Sequence, residues 1–279
     1  MKQKQLIFCM GLSAIALFAS CNEREIEFPS EGKDKSEMGK IVLNLNADAS
    51  FSVQTRALNE ADYRNTANYT VQLLQGTTVL ETYTGPQSSL NFTRELGSNN
   101  TYTVKAFYGV EEAASRDNFY VEGSKTITLT SENPEQTISL ICTPTCGKVS
   151  VDFSNEMNTY YDDFSVTYGG TSALGTALFT WAKNDTEPWY VKLNPYGEEL
   201  TYTINLKVKD QYAHVDEQGN KQTTGTVTGT FVLQRNCAHK LSVQPSYTPN
   251  SNGTFRLEIV IDEGTNDIVK TIQVPVEWI

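Results

Sequence analysis

The residue with the most defined chemistry is Cys21. Lys2 and Lys4 make a short basic start, and residues 6–19 are mostly apolar. That run is too short to cross a bilayer comfortably and has the size of a signal-peptide core. It ends in Phe18-Ala19-Ser20-Cys21. Small residues before a Cys at this distance resemble a bacterial lipobox, in which the sulfur takes a diacylglyceryl group and a peptidase cuts just before it. Phe18 stands where that pattern usually has Leu. The alternative is a plain secretory signal with an incidental Cys. The sequence therefore predicts a signal peptide over 1–20 and a lipid on Cys21. Each buried CH₂ of such an anchor adds roughly 0.8 kcal/mol of membrane attachment. Acids follow closely, in Asn22-Glu23-Arg24-Glu25-Ile26-Glu27. No later segment is long and apolar enough for a membrane helix, so the lipid would be the membrane contact.

Three further thiols, Cys142, Cys146 and Cys237, carry the next candidate chemistry. Cys142 is in phase with Ile138 and Leu140 and reads as a small buried hydrophobe. Outside the cytoplasm a Cys142–Cys146 or Cys146–Cys237 disulfide is the other reading, and spacing does not choose between them. Grouping the thiols with His239 as zinc ligands fits poorly. Cys-x-His is too short for the common fingers, and a chain of this size needs no metal to build a core. No metal and no cofactor are expected. The acidic groups at Asp162-Asp163, Asp210 and Asp216-Glu217 lack the spacing of a calcium loop and read as solvated surface. Trp181, Trp189 and Tyr160 border polar loops. Exposed, they could stack on sugar rings; buried, they would be sandwich core, which is the commoner fate of aromatics in such folds. No nucleophile elbow, His-Glu-x-x-His or phosphate-binding Gly loop occurs, which argues against an enzyme.

These residues must be placed by strands. The chain has 279 residues, 39% hydrophobic and 20% charged, enough for a packed core. Loss of residues 1–20 removes Lys2 and Lys4 and no acid. That leaves 20 bases against 33 acids, a formal charge of −13. So acidic a surface repels phosphate backbones, and no nucleic-acid partner is expected. Residues 21–38 show no apolar period and read as a flexible tether. From Gly39 the period is two: Ile41, Leu43, Leu45; Tyr102, Val104, Ala106; Ile127, Leu129; Val149, Val151, Phe153; Tyr202, Ile204, Leu206, Val208; and Phe255, Leu257, Ile259, Ile261. Such alternation puts apolar groups on one face of a sheet. Gln75-Gly76-Thr77 reads as a hairpin turn. Short helical turns are expected near 59–65 and 111–116. A break at Pro144, which cannot donate to a ladder, divides the body into 39–144 and 145–279. The expected fold is all-β, with two antiparallel β-sandwich domains.

The order of several segments resembles a family of Bacteroides lipoproteins, the domain of unknown function numbered 4493. They are Gly39-Lys40-Ile41-Val42-Leu43-Asn44-Leu45 through Thr55-Arg56-Ala57; Tyr69 to Leu73 before a Gly hairpin; Tyr102 to Ala106; Phe119-Tyr120-Val121-Glu122-Gly123-Ser124; and a strand ending in Cys142 before Lys148 to Phe153. The resemblance spans roughly 39–279. More distantly that family is similar to fimbrillins and fimbrial anchor proteins, whose domains are transthyretin-like sandwiches. The resemblance implies a lipid-anchored protein of the outer membrane or cell surface, an adhesin, anchor or pilus component without catalytic residues. Its partners would be the membrane, through Cys21, and fimbrial subunits or host-surface proteins. The acids behind Cys21 look like surface-export signals of such lipoproteins.

Polymerising fimbrillins are cut after an N-terminal Arg. The resemblance therefore makes Arg56 and Ala57 a candidate processing site, with 39–53 as the displaced strand and 268–279 as a donor strand. The simpler alternative, which we favour, keeps Arg56 in an exposed loop and both segments in their own sheets. A glycan-binding lipoprotein of a carbohydrate-uptake system, using Trp181, Trp189 or Tyr160, is the second functional expectation.

Overall fold

The structure is a computed structural model describing residues 37–51, 58–85, 89–97, 100–215, 218–249, 255–265 and 268–274. Glu37–Ile279 cluster as one compact unit. The chain is all-β, as the alternation implies. Strands β1 (Met38–Ala47), β2 (Thr70–Gln75), β3 (Thr78–Thr84), β4 (Ser89–Glu95) and β5 (Thr101–Gly109) come first. β6 (Ala114–Ser115), β7 (Tyr120–Thr128) and β8 (Glu135–Pro144) follow. The second half holds β9 (Cys146–Phe153), the one-turn α1 (Met157–Tyr160), β10 (Tyr161–Gly169), β11 (Phe179–Ala182), β12 (Trp189–Lys192) and β13 (Glu198–Val208). It ends with β14 (His214–Val215), β15 (Lys221–Gln222), β16 (Thr224–Leu233), β17 (Ala238–Pro249), β18 (Phe255–Thr265) and β19 (Ile268–Val274).

The first sheet runs β3-β2-β5-β7-β8-β1-β4. Its continuity at β7–β8 rests on a short ladder, Val121 opposite Pro144 and Glu122 opposite Thr143. The sheet bends there, so β8, β1 and β4 face β2, β5 and β7 across one core. Ile41, Leu43, Phe92, Ile138 and Leu140 come from one side; Val71, Leu73, Val104, Ala106 and Val121 come from the other. The far rim is tied by an Arg94–Glu81 ion pair and by Tyr83 edge-on to Phe92. β2 and β3 are joined through Gly76 at φ +59°, a left-handed turn that glycine adopts without strain.

A four-stranded sheet, β11-β10-β13-β16, packs against a six-stranded one, β19-β18-β17-β9-β12-β6. Tyr202, Ile204, Leu206 and Val208 of β13 are buried, and Thr203 and Asn205 point the other way. Both large sheets contain one parallel pair, β1 with β8 and β9 with β17. Two expectations change. β9 does not alternate: residues 146–151 are all buried, because Val149 and Val151 pack in the second core while Lys148 on the other face meets Glu60 and Phe51. The helical turn expected near 111–116 is instead β6, since Ser115 and Ala114 pair with Tyr190 and Val191 of β12. The turn near 59–65 is present as a 3₁₀ turn, Glu60–Tyr63. Among the described residues no helix is long and apolar enough to cross a membrane.

Candidate functional site

The N-terminal strand is the most distinctive site. β1 is interior: it pairs in parallel with β8 from Lys40 to Ala47 and antiparallel with β4 from Met38 to Asn44. Among the described residues β4 has β1 as its only strand neighbour. Ile41 and Leu43 are fully buried, and Leu45, Ala49 and Phe51 nearly so. Phe51 meets Phe119 edge-on at 5.4 Å and tilts against Tyr190 at 5.5 Å. Taking this segment away would uncover an apolar groove with unpaired backbone on β8 and β4.

Immediately beyond this segment lies a buried polar node. Glu60 Oε1 accepts from Lys148 Nζ and from the Tyr190 hydroxyl, each at 2.7 Å. Lys148 is 1% exposed and Glu60 10%. A buried ammonium survives only when paired, so this contact holds the first turn after β1 to the centre of β9. The Lys148 ammonium also lies 5.9 Å from the Phe51 ring. Tyr63 stacks on Phe119 at 3.7 Å, and Phe119 on Tyr190 at 4.8 Å. Phe51, Glu60, Tyr63, Phe119, Lys148 and Tyr190 thus form one seam where the first core meets β9 and β12. In sequence Lys148 alternates with Val149 and Val151 and falls on the polar face of its strand, yet it is buried. Only its position in a strand covered on both sides could have flagged it.

Cys21, Arg56 and Ala57 lie outside the described residues. β19, the start of the expected donor segment, is an edge strand paired antiparallel with β18. Trp181 is fully buried, and its Nε1 donates to the Glu187 carbonyl at 2.7 Å. The alternation of β11 turns it inward, so a role as an exposed platform is corrected to core. Trp189 is half-buried, with the Arg116 guanidinium 4.7 Å from its ring. That guanidinium is held by both oxygens of Asp185, at 3.0 and 2.5 Å. Tyr160 is half-buried elsewhere, edge-on to Tyr212 at 5.2 Å.

Of the two readings of the thiols, the disulfide is not formed: Cys142, Cys146 and Cys237 are not bridged to one another. Cys142 and Cys146 sit in the first core, where burial pushes Cys142 up to about 12 and raises Cys146 further. Cys237 packs against the second core. His239 is fully buried, stacked on Phe231 at 3.5 Å, with both ring nitrogens lacking hydrogen bonds. Burial lowers its pKa to about 3, so it is neutral. Among the described residues no three His, Cys, Asp or Glu are placed to hold a metal ion. A shallow concavity on the outer face of the four-stranded sheet is lined by Thr167, Gly169, Leu178, Thr201, Thr203 and Asn205.

The family described as Domain of unknown function (DUF4493) matches residues 37–276. This chain belongs to that family. No curated protein matches the chain with significance. Among solved structures, the chain is similar to a cell-adhesion candidate from Bacteroides eggerthii, with a TM-score of 0.43 and 9% identity over 82% of this chain and 97% of that one. It is similar to the tip fimbrial protein Mfa3 from Porphyromonas gingivalis, at 0.40 and 8% over 81% and 99%. The fimbrial anchor protein Mfa2 from the same organism gives 0.38 and 9% over 82% and 98%.

Proposed function

We propose that this protein of the DUF4493 family is a lipid-anchored interaction protein of the outer membrane or cell surface, of the adhesin, anchor or pilus type, and that it does no catalysis. The observation that carries the reading is β1. An interior, apolar N-terminal strand is joined to the rest of the body through one short segment that contains Arg56 and Ala57. A strand in that position is the part a neighbouring subunit's strand could replace, because both flanking ladders and the apolar pockets would be reused. Retention of β1 gives an anchor or adhesin tethered through Cys21; its removal gives a polymerising subunit. The division into sandwiches of 39–144 and 145–279 belongs to the same proposal.

The test is the intact mass and N-terminal sequence of the protein taken from its native cells. A triacylated chain starting at Cys21 supports the tethered form. A chain starting at Ala57 has lost Cys21, so it supports the polymerising form and overturns the lipid anchor. An unlipidated chain with any other start overturns the proposal.

A second reading, glycan binding, is favoured by the uncharged concavity lined by Thr167, Leu178, Thr201, Thr203 and Asn205. Trp189 and Tyr160, which do not line that concavity, remain candidates for this reading as half-buried rings, and Trp181 does not. Failure of the purified protein to bind any member of a bacterial and host glycan array would remove this reading.

A further inference from the structure

We infer that β16 is a self-recognition edge, through which a second copy of this chain pairs antiparallel and extends the four-stranded sheet into one of eight strands. Among the described residues β16 is the outer strand of its sheet, bonded on one side to β13. Unpaired outer strands are templates for another chain, and proteins usually blunt them with charges or brevity. The other outer strands follow that rule. β3 carries Glu81, β4 carries Arg94 and Glu95, and β19 carries Lys270, whereas β11 has four residues and β6 two. β16 has ten residues and no charge.

Its sequence names the occupant. Residues 224–230 read Thr-Gly-Thr-Val-Thr-Gly-Thr, the same in both directions. Antiparallel pairing about a two-fold axis at Val227 puts each residue opposite its own kind. Thr224 meets the second copy's Thr230, Gly225 its Gly229, Thr226 its Thr228, and Val227 its Val227. Isologous contacts require this self-complementarity. Thr224, Thr226, Thr228 and Thr230 are all exposed on one face, and Gly225, Val227 and Gly229 are half-exposed on the other. Cross-strand Thr pairs are already used by this protein, at 2.9 Å for Thr101–Thr128 and Thr103–Thr126 and 3.1 Å for Thr167–Thr180. The row Thr180, Thr167, Thr203, Thr228 crosses the sheet in register and would continue into the second copy. Charge agrees. Two copies of a chain with net charge −11 repel except where the contact is neutral, and this edge is neutral. The inference goes beyond the function proposed above and does not depend on it.

The experiment uses the full-length protein in mild detergent. Sedimentation velocity should show a concentration-dependent shift from monomer to dimer, and amide exchange over 224–230 should slow in step with it. Thr226→Cys and Thr228→Cys are then oxidised separately and as a mixture, with the unsubstituted chain reporting cross-linking through native thiols. Directly opposite positions bring Cβ atoms within disulfide reach and diagonal ones do not. The mixed disulfide should therefore exceed either homodisulfide by more than random encounter yields. The Thr226→Lys/Thr228→Lys variant should be monomeric. A monomer at all concentrations overturns the inference. So does equal cross-linking in all three samples, or a dimer indifferent to the lysines.

Discussion

Loss of β1 should be destabilising in proportion to what it buries. Ile41, Leu43, Leu45 and Phe51 are each at most 8% exposed. At roughly 1.5–3 kcal/mol per buried side chain the four contribute about 6–12 kcal/mol, an upper figure because unfolded chains bury some surface already. Whole domains are stable by only ~5–15 kcal/mol. A chain starting at Ala57 should therefore melt without a cooperative transition, or associate through the open groove. The intact chain cut after Arg56 by an Arg-specific protease should keep residues 38–51 bound until denaturant is added. Urea titration followed by tryptophan fluorescence, with native mass spectrometry of the cut sample, measures both. Leu43→Ala should cost ~2–5 kcal/mol by creating a cavity. Exposed Asn44→Ala on the same strand should stay within ~0.5 kcal/mol. A synthetic peptide of residues 38–51 should restore the cooperative transition to the truncated chain. A truncated chain that is monomeric, with an unchanged urea midpoint, would refute the claim that β1 is a structural strand whose replacement needs a substitute.

Acid should weaken the fold through His239. Its pKa falls from 6.5 to about 3 on burial, so its contribution is complete above pH 6.5 and is lost as pH falls toward 3, because the unfolded chain takes up the proton first. At pH 4.5 the loss is roughly 3 kcal/mol, and His239→Phe, stacked on Phe231, should abolish it. Urea midpoints of the two proteins at pH 7 and 4.5 decide the matter; a gap that does not change with pH rejects it. Lys148→Met should cost ~3–5 kcal/mol because Glu60 is left buried beside Tyr190 without its cation, and adding Glu60→Gln should recover part of that. Thermal denaturation of the single and double variants measures it, and equal losses in both would deny the coupling. The thiols of Cys142 and Cys146 should resist alkylation at pH 8 in the folded protein and react in urea, as read by peptide mass mapping.

How much of this was legible depended on how many faces of a strand are covered. β13 has one covered face, so Tyr202, Ile204, Leu206 and Val208 announce their burial by period two. β9 has two, so Lys148 and Ser150 looked solvated by the same rule and are buried. The stretch of β6 reads as a helical turn in sequence because its strand pairing comes from β12, distant in the chain. Trp181 stands beside a polar loop in sequence, yet the alternation of Phe179, Thr180, Trp181 and Ala182 already directed it inward. The partners of the seam could not be paired from sequence. Glu60 and Lys148 are 88 residues apart and Glu60 and Tyr190 are 130 apart, and a long-range ion pair leaves no periodic trace.

The seam links the fate of β1 to the rest of the molecule. Phe51 belongs to the segment ahead of Arg56, whereas Glu60 and Tyr63 follow Ala57. Release of the first segment would therefore strip Phe51 from Phe119, Tyr190 and the Lys148 ammonium while leaving the Glu60–Lys148 pair in place. The pair would then lose an aromatic cover and gain water, which weakens its Coulomb attraction but also removes the desolvation penalty that made it obligatory. Lys148→Met should accordingly cost less in a chain starting at Ala57 and carrying a replacement strand without Phe51 than in the intact protein. It should cost the same if the replacement carries an aromatic at that position. A double-mutant cycle between Phe51→Ala and Lys148→Met in the intact chain reads this coupling directly, and a coupling of zero would show that the seam does not sense β1.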